Sequence, residues 1–202
     1  ERNVSQHGGG ARAFDTAVMT GTQFINNRSS PSNFTGAGLK VDREATLNGG
    51  LFQANVGKRG AGFSGGSTAS ISGTQFISNT AGDWGGGANV ALLTQITGTL
   101  WVSNTSGSDC GALRTPAVLR ATASAFYANT TIGNGGAACA DTGADLAGGI
   151  FQNNTGGKGG GLWTNASTSL SGTVFISNTA TDTGGGAYVG SGAAVVNGGV
   201  FE

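Results

Sequence analysis

Charge, cysteine, proline and long apolar runs are all scarce in this chain. Charged residues make up 10% of it, and ten acidic side chains balance ten basic ones, which removes any electrostatic reason to bind nucleic acid or an anionic membrane. No apolar run approaches the roughly 20 residues of a membrane-spanning helix. Two cysteines are too few for a disulfide scaffold or a zinc site. We therefore expect no nucleic-acid partner, no transmembrane segment, no bound metal and no cofactor.

Glycine is what the chain has in excess. There are 40 glycines in 202 residues, yet 37% of the residues are hydrophobic, which is enough to build an interior. One continuous domain over residues 1–202 fits this length. Abundant Asn, Thr, Ser and Gly, with little Lys and Glu, suit a secreted protein, and we expect an extracellular or bacterial cell-surface location.

A repeat of about 25 residues runs through the sequence, built from an aromatic residue, an Asn three positions later and a triplet of small residues. The aromatic positions are Phe24, Phe52, Phe76, Trp101, Phe126, Phe151, Phe175 and Phe201. The Asn positions are Asn27, Asn55, Asn79, Asn104, Asn129, Asn154 and Asn178. The triplets begin at Gly8, Gly36, Gly60, Gly85, Cys110, Gly135, Gly159 and Gly184. Repetition at this spacing predicts a solenoid.

The local pattern of each repeat favours strands over helices. Segments such as "SISGTQFIS" and "SLSGTVFIS" alternate in polarity and are broken by turn residues, and no stretch shows a 3.6-residue apolar stripe. A leucine-rich repeat would need a regular Leu ladder, which is missing. About 25 residues at about 3.3 Å each make a circuit of roughly 80 Å, enough for three short strands and three bends. The sequence therefore predicts an all-β, right-handed parallel β-helix of about eight coils, with three short strands per coil.

Each repeated feature has a structural role in such a coil. The aromatic residues would form an inward stack, with Phe76 between Phe52 and Trp101, and supply most of the buried apolar area. The Asn would sit at a bend and hydrogen-bond to the Asn of the next coil. The triplet would allow a tight corner where the backbones approach closely.

Two tetrapeptides in these repeats carry a family resemblance. The first reads "FINN", "FQAN", "FISN", "WVSN", "FYAN" and "FQNN", and the second reads "GGGA", "GAGL", "GAGF", "GGAA" and "GGGL". Paired in this way, they resemble the FxxN and GGA[ILV] repeat of polymorphic outer membrane proteins and related bacterial β-helix proteins, over essentially the whole chain. The resemblance implies a surface-exposed or secreted, passenger-like β-helix, often adhesive.

Acidic residues near one corner are the candidates for chemistry. Asp83 and Asp109 precede triplets in adjacent coils and are candidate calcium ligands, although a third carboxylate is missing. The alternative is a charged, solvated corner, in which Arg59 pairs with Asp83 and Lys158 with Asp182 across coils. We predict the charged corner, no catalytic residue and no metal site.

Two further pairs leave alternatives open. Cys110 and Cys139 lie in neighbouring coils but differ by four residues in register, about 13 Å in straight strands, so they are either a disulfide or two buried thiols. Trp163 and Tyr188 follow the triplets of adjacent coils and face outward, where they either bind a sugar ring or partner chain, or stack on one another.

N-glycosylation sequons begin at Asn3, Asn27, Asn33, Asn104, Asn129, Asn153 and Asn165.

The function we expect is structural and adhesive: a non-catalytic, secreted β-helical rod acting as a fibre, stalk or passenger segment. The alternative is a polysaccharide-binding or lyase-like β-helix acting on extracellular glycans. An ice-binding solenoid would need a flat array of regularly spaced Thr; Thr74, Thr99 and Thr173 do repeat after the corner glycine, but coils five and six lack such a Thr. Glu1 laid after Glu202 continues the repeat as "FERN", so we expect a segment of a longer solenoid or end-to-end stacking on copies of itself. Glycans or a host or neighbouring cell surface are the other expected partners.

Overall fold

The computed structural model describes residues 3–30, 35–92 and 94–202. Throughout these residues the regular structure is β-strand, and the strands form four parallel sheets of eight strands each. In every sheet, each strand pairs with the equivalent strands of the preceding and following turns. The prediction of an all-β, parallel solenoid with eight turns of about 25 residues is therefore confirmed. Glu1, the residue used in the end-joining argument, lies outside the described residues.

The strands of one turn belong to sheets A, B, C and D in chain order. Sheet A consists of Val4–Ser5, Arg28–Ser29, Val56–Arg59, Thr80–Trp84, Thr105–Ser106, Thr130–Thr131, Thr155–Gly156 and Thr179–Ala180. Sheet B consists of Ala11–Ala13, Leu39–Val41, Phe63–Gly65, Ala88–Val90, Leu113–Thr115, Ala138–Ala140, Leu162–Thr164 and Ala187–Val189. Sheet C consists of Ala17–Thr20, Ala45–Asn48, Ala69–Ser72, Thr94–Thr97, Leu119–Thr122, Ala144–Ala147, Thr168–Ser171 and Ala194–Asn197. Sheet D consists of Gln23–Ile25, Leu51–Gln53, Gln75–Ile77, Leu100–Val102, Ala125–Tyr127, Ile150–Gln152, Val174–Ile176 and Val200–Phe201.

Each turn thus has four strands, and the expectation of three was wrong. The extra corner lies inside the FxxN tetrapeptide, between sheets D and A. There the residue just before the Asn adopts a left-handed backbone conformation, for example Ser78 (φ 53°) and Ala128 (φ 52°). A left-handed residue ends the strand and turns the chain, so one extended segment becomes two short strands.

An unbroken stack of aromatic rings fills one side of the interior. Consecutive ring centroids from Phe24 to Phe201 are 4.1–5.6 Å apart, with interplanar angles of 4–16°. Phe76 lies between Phe52 and Trp101 in sheet register, which confirms that prediction. The strands of sheets B and C cover the stack with residues such as Leu39, Ile71 and Leu162. Burying each large apolar side chain contributes about 1.5–3 kcal/mol.

A ladder of Asn side chains runs beside the aromatic stack. The Asn104 amide donates to Asn129 Oδ1 (3.0 Å) and to the backbone oxygen of Phe76 (2.8 Å). Its own Oδ1 accepts from the backbone nitrogen (3.1 Å) and the Nδ2 (3.0 Å) of Asn79. Two donors and two acceptor sites are therefore all used, which makes burial of this polar group tolerable. The same pattern joins Asn27, Asn55, Asn79, Asn104, Asn129, Asn154 and Asn178.

Candidate binding groove on sheet B

One residue in each strand of sheet B points out of the solenoid, and these residues form a column along its outer face. Each is the fourth residue after the first member of a triplet, and the flanking residues of its strand point inward to the core. In order along the solenoid, the column is Arg12, Lys40, Ser64, Asn89, Arg114, Cys139, Trp163 and Tyr188. Cys139 is therefore a small residue between two large ones, Arg114 and Trp163.

Cys139 forms a disulfide with Cys110, which keeps its side chain close to the backbone of the solenoid. The two Cα atoms are 5.4 Å apart, within disulfide range, and both cysteines are buried. The straight-strand separation of about 13 Å does not apply, because the chain turns a corner at Gly135 (φ 65°) between the two registers. The bond forms the floor of a depression between Arg114 and Trp163.

Trp84 forms one wall of this depression. It ends the sheet A strand Thr80–Trp84, where the register against the previous turn shifts from Ala81 opposite Gly57 to Trp84 opposite Arg59. The extra residue on the Trp84 strand is a bulge, which re-aims the side chain that follows it. The Arg59 guanidinium carbon lies 4.4 Å from the centre of the indole, and that of Arg114 lies 4.7 Å away. Cations from the turns on either side therefore fix this indole by cation–π contacts.

The groove itself has a volume of about 370 Å³. Trp84, Arg114 and Asp109 lie on one side of the disulfide floor, and Trp163 lies on the other. Asn134, Asp141 and Asn165 complete the lining. Arg114 Nη2 is 3.1 Å from Asp141 Oδ2, so these two charges are paired within the groove.

Trp163 and Tyr188 are register neighbours in sheet B, as the sequence suggests, but they have different surroundings. Trp163 lines the groove, whereas Tyr188 lies beyond it with Lys158 Nζ 5.5 Å from its ring centre. Among the ring contacts of the described residues, none joins Trp163 to Tyr188. The stacking alternative for this pair is therefore not what the structure shows.

The two candidate calcium ligands have other partners. Asp83 Oδ2 is 3.3 Å from Arg59 Nε and 3.9 Å from Lys58 Nζ. Asp109 is in register with Trp84, and its Oδ1 accepts a 2.7 Å hydrogen bond from the backbone nitrogen of Asn134. Within residues 3–30, 35–92 and 94–202, no group of three or more His, Cys, Asp or Glu side chains could hold a metal ion. These contacts describe a charged corner.

The expected cross-coil ion pairs are present at that corner. Arg59 with Asp83 is one, and Lys158 with Asp182, at 3.6 Å, is the other. A cluster of three charged side chains lies in the first two turns, where Arg12 Nη2 is 2.7 Å from Asp42 Oδ2 and Lys40 Nζ is 3.4 Å from Asp42 Oδ1. Burial raises the pKa of Asp42, but the hydrogen bond from Arg12 and the charge of Lys40 outweigh it and hold that pKa below its ordinary value.

The sequon asparagines differ in burial, and the three Thr residues named above are buried. Asn27, Asn104 and Asn129 are buried in the ladder, whereas Asn3, Asn153 and Asn165 are exposed. Asn33 lies outside the described residues. Thr74, Thr99 and Thr173 are buried at the corner between sheets C and D, so they form no exposed ice-binding array.

Five groove residues are not predicted as binding residues from the sequence, although one of them, Asn165, begins a sequon: Trp84, Arg114, Asn134, Asp141 and Asn165. A simple signal would have found them. Counted from the first triplet residue, they fall one residue before, four residues after or six residues after it. Aligning the repeats at these positions places them in three adjacent rows over neighbouring turns.

Comparison with protein-family models, with curated proteins and with solved structures finds no match for this chain. A search of the described residues for a helix long and apolar enough to cross a membrane finds none. The residues and their geometry are therefore the basis for the functional proposal.

Proposed function

We propose that this chain is a structural and adhesive β-helical rod, non-catalytic, working outside the cell or on a bacterial cell surface. The observation that supports it most is the continuity of the interior. The aromatic stack spans all eight turns, and the Asn ladder runs beside it from Asn3 to Asn178. Such an interior gives stiffness and length while leaving the outer faces free to vary.

The disulfide and the sequence resemblance support the location. Disulfides persist in oxidising compartments, such as the bacterial periplasm and the cell exterior, and Cys110–Cys139 is buried in the fold. The FxxN and GGA[ILV] repeats resemble those of surface-displayed proteins.

The last described turn supports a self-partner. Val196 and Phe201 occupy core positions, yet each is 53% exposed, whereas their equivalents one turn earlier, Leu170 and Phe175, are buried. A further solenoid turn placed on this end would bury them, as it does in every preceding turn. We therefore propose that the exposed apolar end of one copy is covered by a turn of a second copy.

Electron microscopy and sedimentation velocity of the 202-residue chain test this proposal. We expect rods whose length grows with protein concentration, and we expect Val196→Asp with Phe201→Asp to stop that growth. Ile132→Asp is the matched control, since Ile132 is 82% exposed on the side of the solenoid. A chain that stays a single short particle at all concentrations would contradict self-stacking.

A further inference from the structure

The groove on sheet B has the dimensions and rigidity of a binding site. Its volume of about 370 Å³ falls within the roughly 300–1,000 Å³ of typical ligand pockets. Its floor is a disulfide, and the Arg114 and Trp163 side chains stand on strands of sheet B that are paired on both sides. A ligand would therefore meet side chains that are already in place, with little ordering cost.

Trp163 offers the ligand an aromatic face. The structure shows no ring, cation or hydrogen-bond partner for its side chain in the described part of the chain. Trp84 differs, because Arg59 and Arg114 already lie against its indole. Trp163 is thus the platform of the groove, and Trp84 is its fixed wall.

The polar groups of the groove can both donate and accept hydrogen bonds. Arg114 donates, while Asp141 and the second oxygen of Asp109 accept. Asn134 and Asn165 carry amides that do both, and no side-chain hydrogen bond to another described residue uses them. A ligand that satisfies this set needs groups that both donate and accept, as hydroxyls do.

The charges of the lining narrow the ligand class. One guanidinium faces two carboxylates, which disfavours phosphates, sulfates and uronic acids. A Lys or Arg side chain can only donate, so it would leave the donors of Arg114, Asn134 and Asn165 without acceptors. An uncharged, hydroxyl-rich ring with one apolar face matches the platform and the polar groups together.

We propose that the groove formed by Trp84, Asp109, Arg114, Asp141, Trp163 and the two flanking amides binds a neutral saccharide, with a sugar ring stacked on Trp163. Hydroxyls of that ring exchange hydrogen bonds with Arg114, Asp141 and the Asn134 and Asn165 amides. This goes beyond the structural role, because it assigns a ligand class to one face of the rod.

Isothermal titration and tryptophan fluorescence of the 202-residue chain test the proposal. The protein is made in a bacterial host that leaves the Asn165 sequon unmodified, and the probes are neutral hexasaccharides of glucose, galactose, mannose, xylose and N-acetylglucosamine. We expect at least one probe to bind saturably at micromolar to millimolar concentration, with little dependence on salt. Trp163→Ala should weaken that binding at least about tenfold.

Tyr188→Ala is the matched control, since it truncates the neighbouring aromatic on the same sheet outside the groove. It should change affinity less than about twofold. If Trp163→Ala loses the β-sheet circular dichroism signal, Asn134→Ala and Asn165→Ala replace it, because they remove amides without removing core packing. The proposal is overturned if no neutral probe binds at millimolar concentration, or if neither Trp163→Ala nor the two Asn variants weaken binding more than Tyr188→Ala. The proposal would also be overturned if the chain bound only polygalacturonate or polylysine, in a salt-sensitive way. The structural role is tested separately, because rods seen by microscopy would support it whatever the result of the binding experiments.

Discussion

Trp101 fills the space that a β-carbon on Gly87 would occupy. A Cβ built on Gly87 would lie 2.8 Å from Trp101 Cε3 and 2.9 Å from Cζ3. Ala112 and Ala137 stand at the equivalent triplet position in the next two turns, where the aromatic residues of the same turns are Phe. The indole of Trp101 therefore lies directly against a position without a side chain, and glycine also occupies this position in five turns whose aromatic residue is Phe.

Gly87→Ala should destabilise the fold by about 1–3 kcal/mol, because the added methyl overpacks a close contact with the indole. In a Trp101→Phe background the cost should fall, since the smaller ring leaves room. A double-mutant cycle from urea denaturation measures this coupling. Gly98→Ala is the control: its Cβ would meet nothing within 4 Å and its cost comes from φ +56° alone, so Trp101→Phe should not change it. Additive effects of Gly87→Ala and Trp101→Phe would contradict the shared-space interpretation.

Asn104→Ala should cost roughly 2–5 kcal/mol of unfolding free energy. The change leaves the Phe76 carbonyl and both Asn79 donors without their buried partner, and unsatisfied buried groups cost about 1–3 kcal/mol each. Asn48→Ala, on the exposed face of sheet C, is the comparison and should cost under about 0.5 kcal/mol. Equal effects of the two changes in urea denaturation would mean that the ladder is not a major source of stability.

Replacing both cysteines, as Cys110→Ala with Cys139→Ala, should lower the unfolding free energy by about 3–4 kcal/mol. This is the loss expected when a cross-link between cysteines 29 residues apart no longer restricts the entropy of the unfolded chain. The double variant Cys110→Gly with Cys139→Ala should lose about 1 kcal/mol less unfolding free energy than the Cys110→Ala, Cys139→Ala variant. Cys110 has φ 63° at the position that holds glycine in the other turns, and glycine adopts this conformation without strain. Urea midpoints of the two double variants give the difference, and identical midpoints would argue against strain at residue 110.

Asp42 should make stability depend on pH in the acid range. Its pKa is lower in the folded chain than its ordinary value of about 3.9, so its contribution is present above that pH and is lost as the pH falls through the folded value. Wild type should exceed Asp42→Asn in unfolding free energy by up to about 1 kcal/mol near pH 6, and the gap should close as the pH falls below the ordinary pKa range of a carboxyl group. Asp15→Asn, at an exposed pair with Arg43, should show a smaller gap. A gap that widens toward acid would have the wrong sign for this ion pair.

The repeating core could be predicted from sequence in some detail. The spacing of Phe, Asn and the triplets was enough to predict parallel turns and the neighbours of Phe76, because a solenoid places equivalent residues of successive turns in register. The number of strands per turn was wrong. A left-handed residue such as Ser78 or Ala128 divides a segment that looks continuous in its alternation of polarity.

The groove was largely missed, although its residues sit at regular positions in the repeat. Trp163 was a candidate, but Trp84, Arg114 and Asp141 come from three different turns and from different positions of the repeat, and none belongs to a recognisable motif. Sequence spacing alone does not decide the disulfide, because the separation along a straight strand overstates the distance around a corner.

By itself, the sequence determined the fold of this chain: periodic aromatic and Asn residues can be buried and hydrogen-bonded together only if equivalent turns lie one above another. Only the tertiary structure decided which outward residues meet. Where a side chain outside the core points depends on corner angles and on the bulge before Trp84, and these belong to the folded backbone rather than to the repeat pattern.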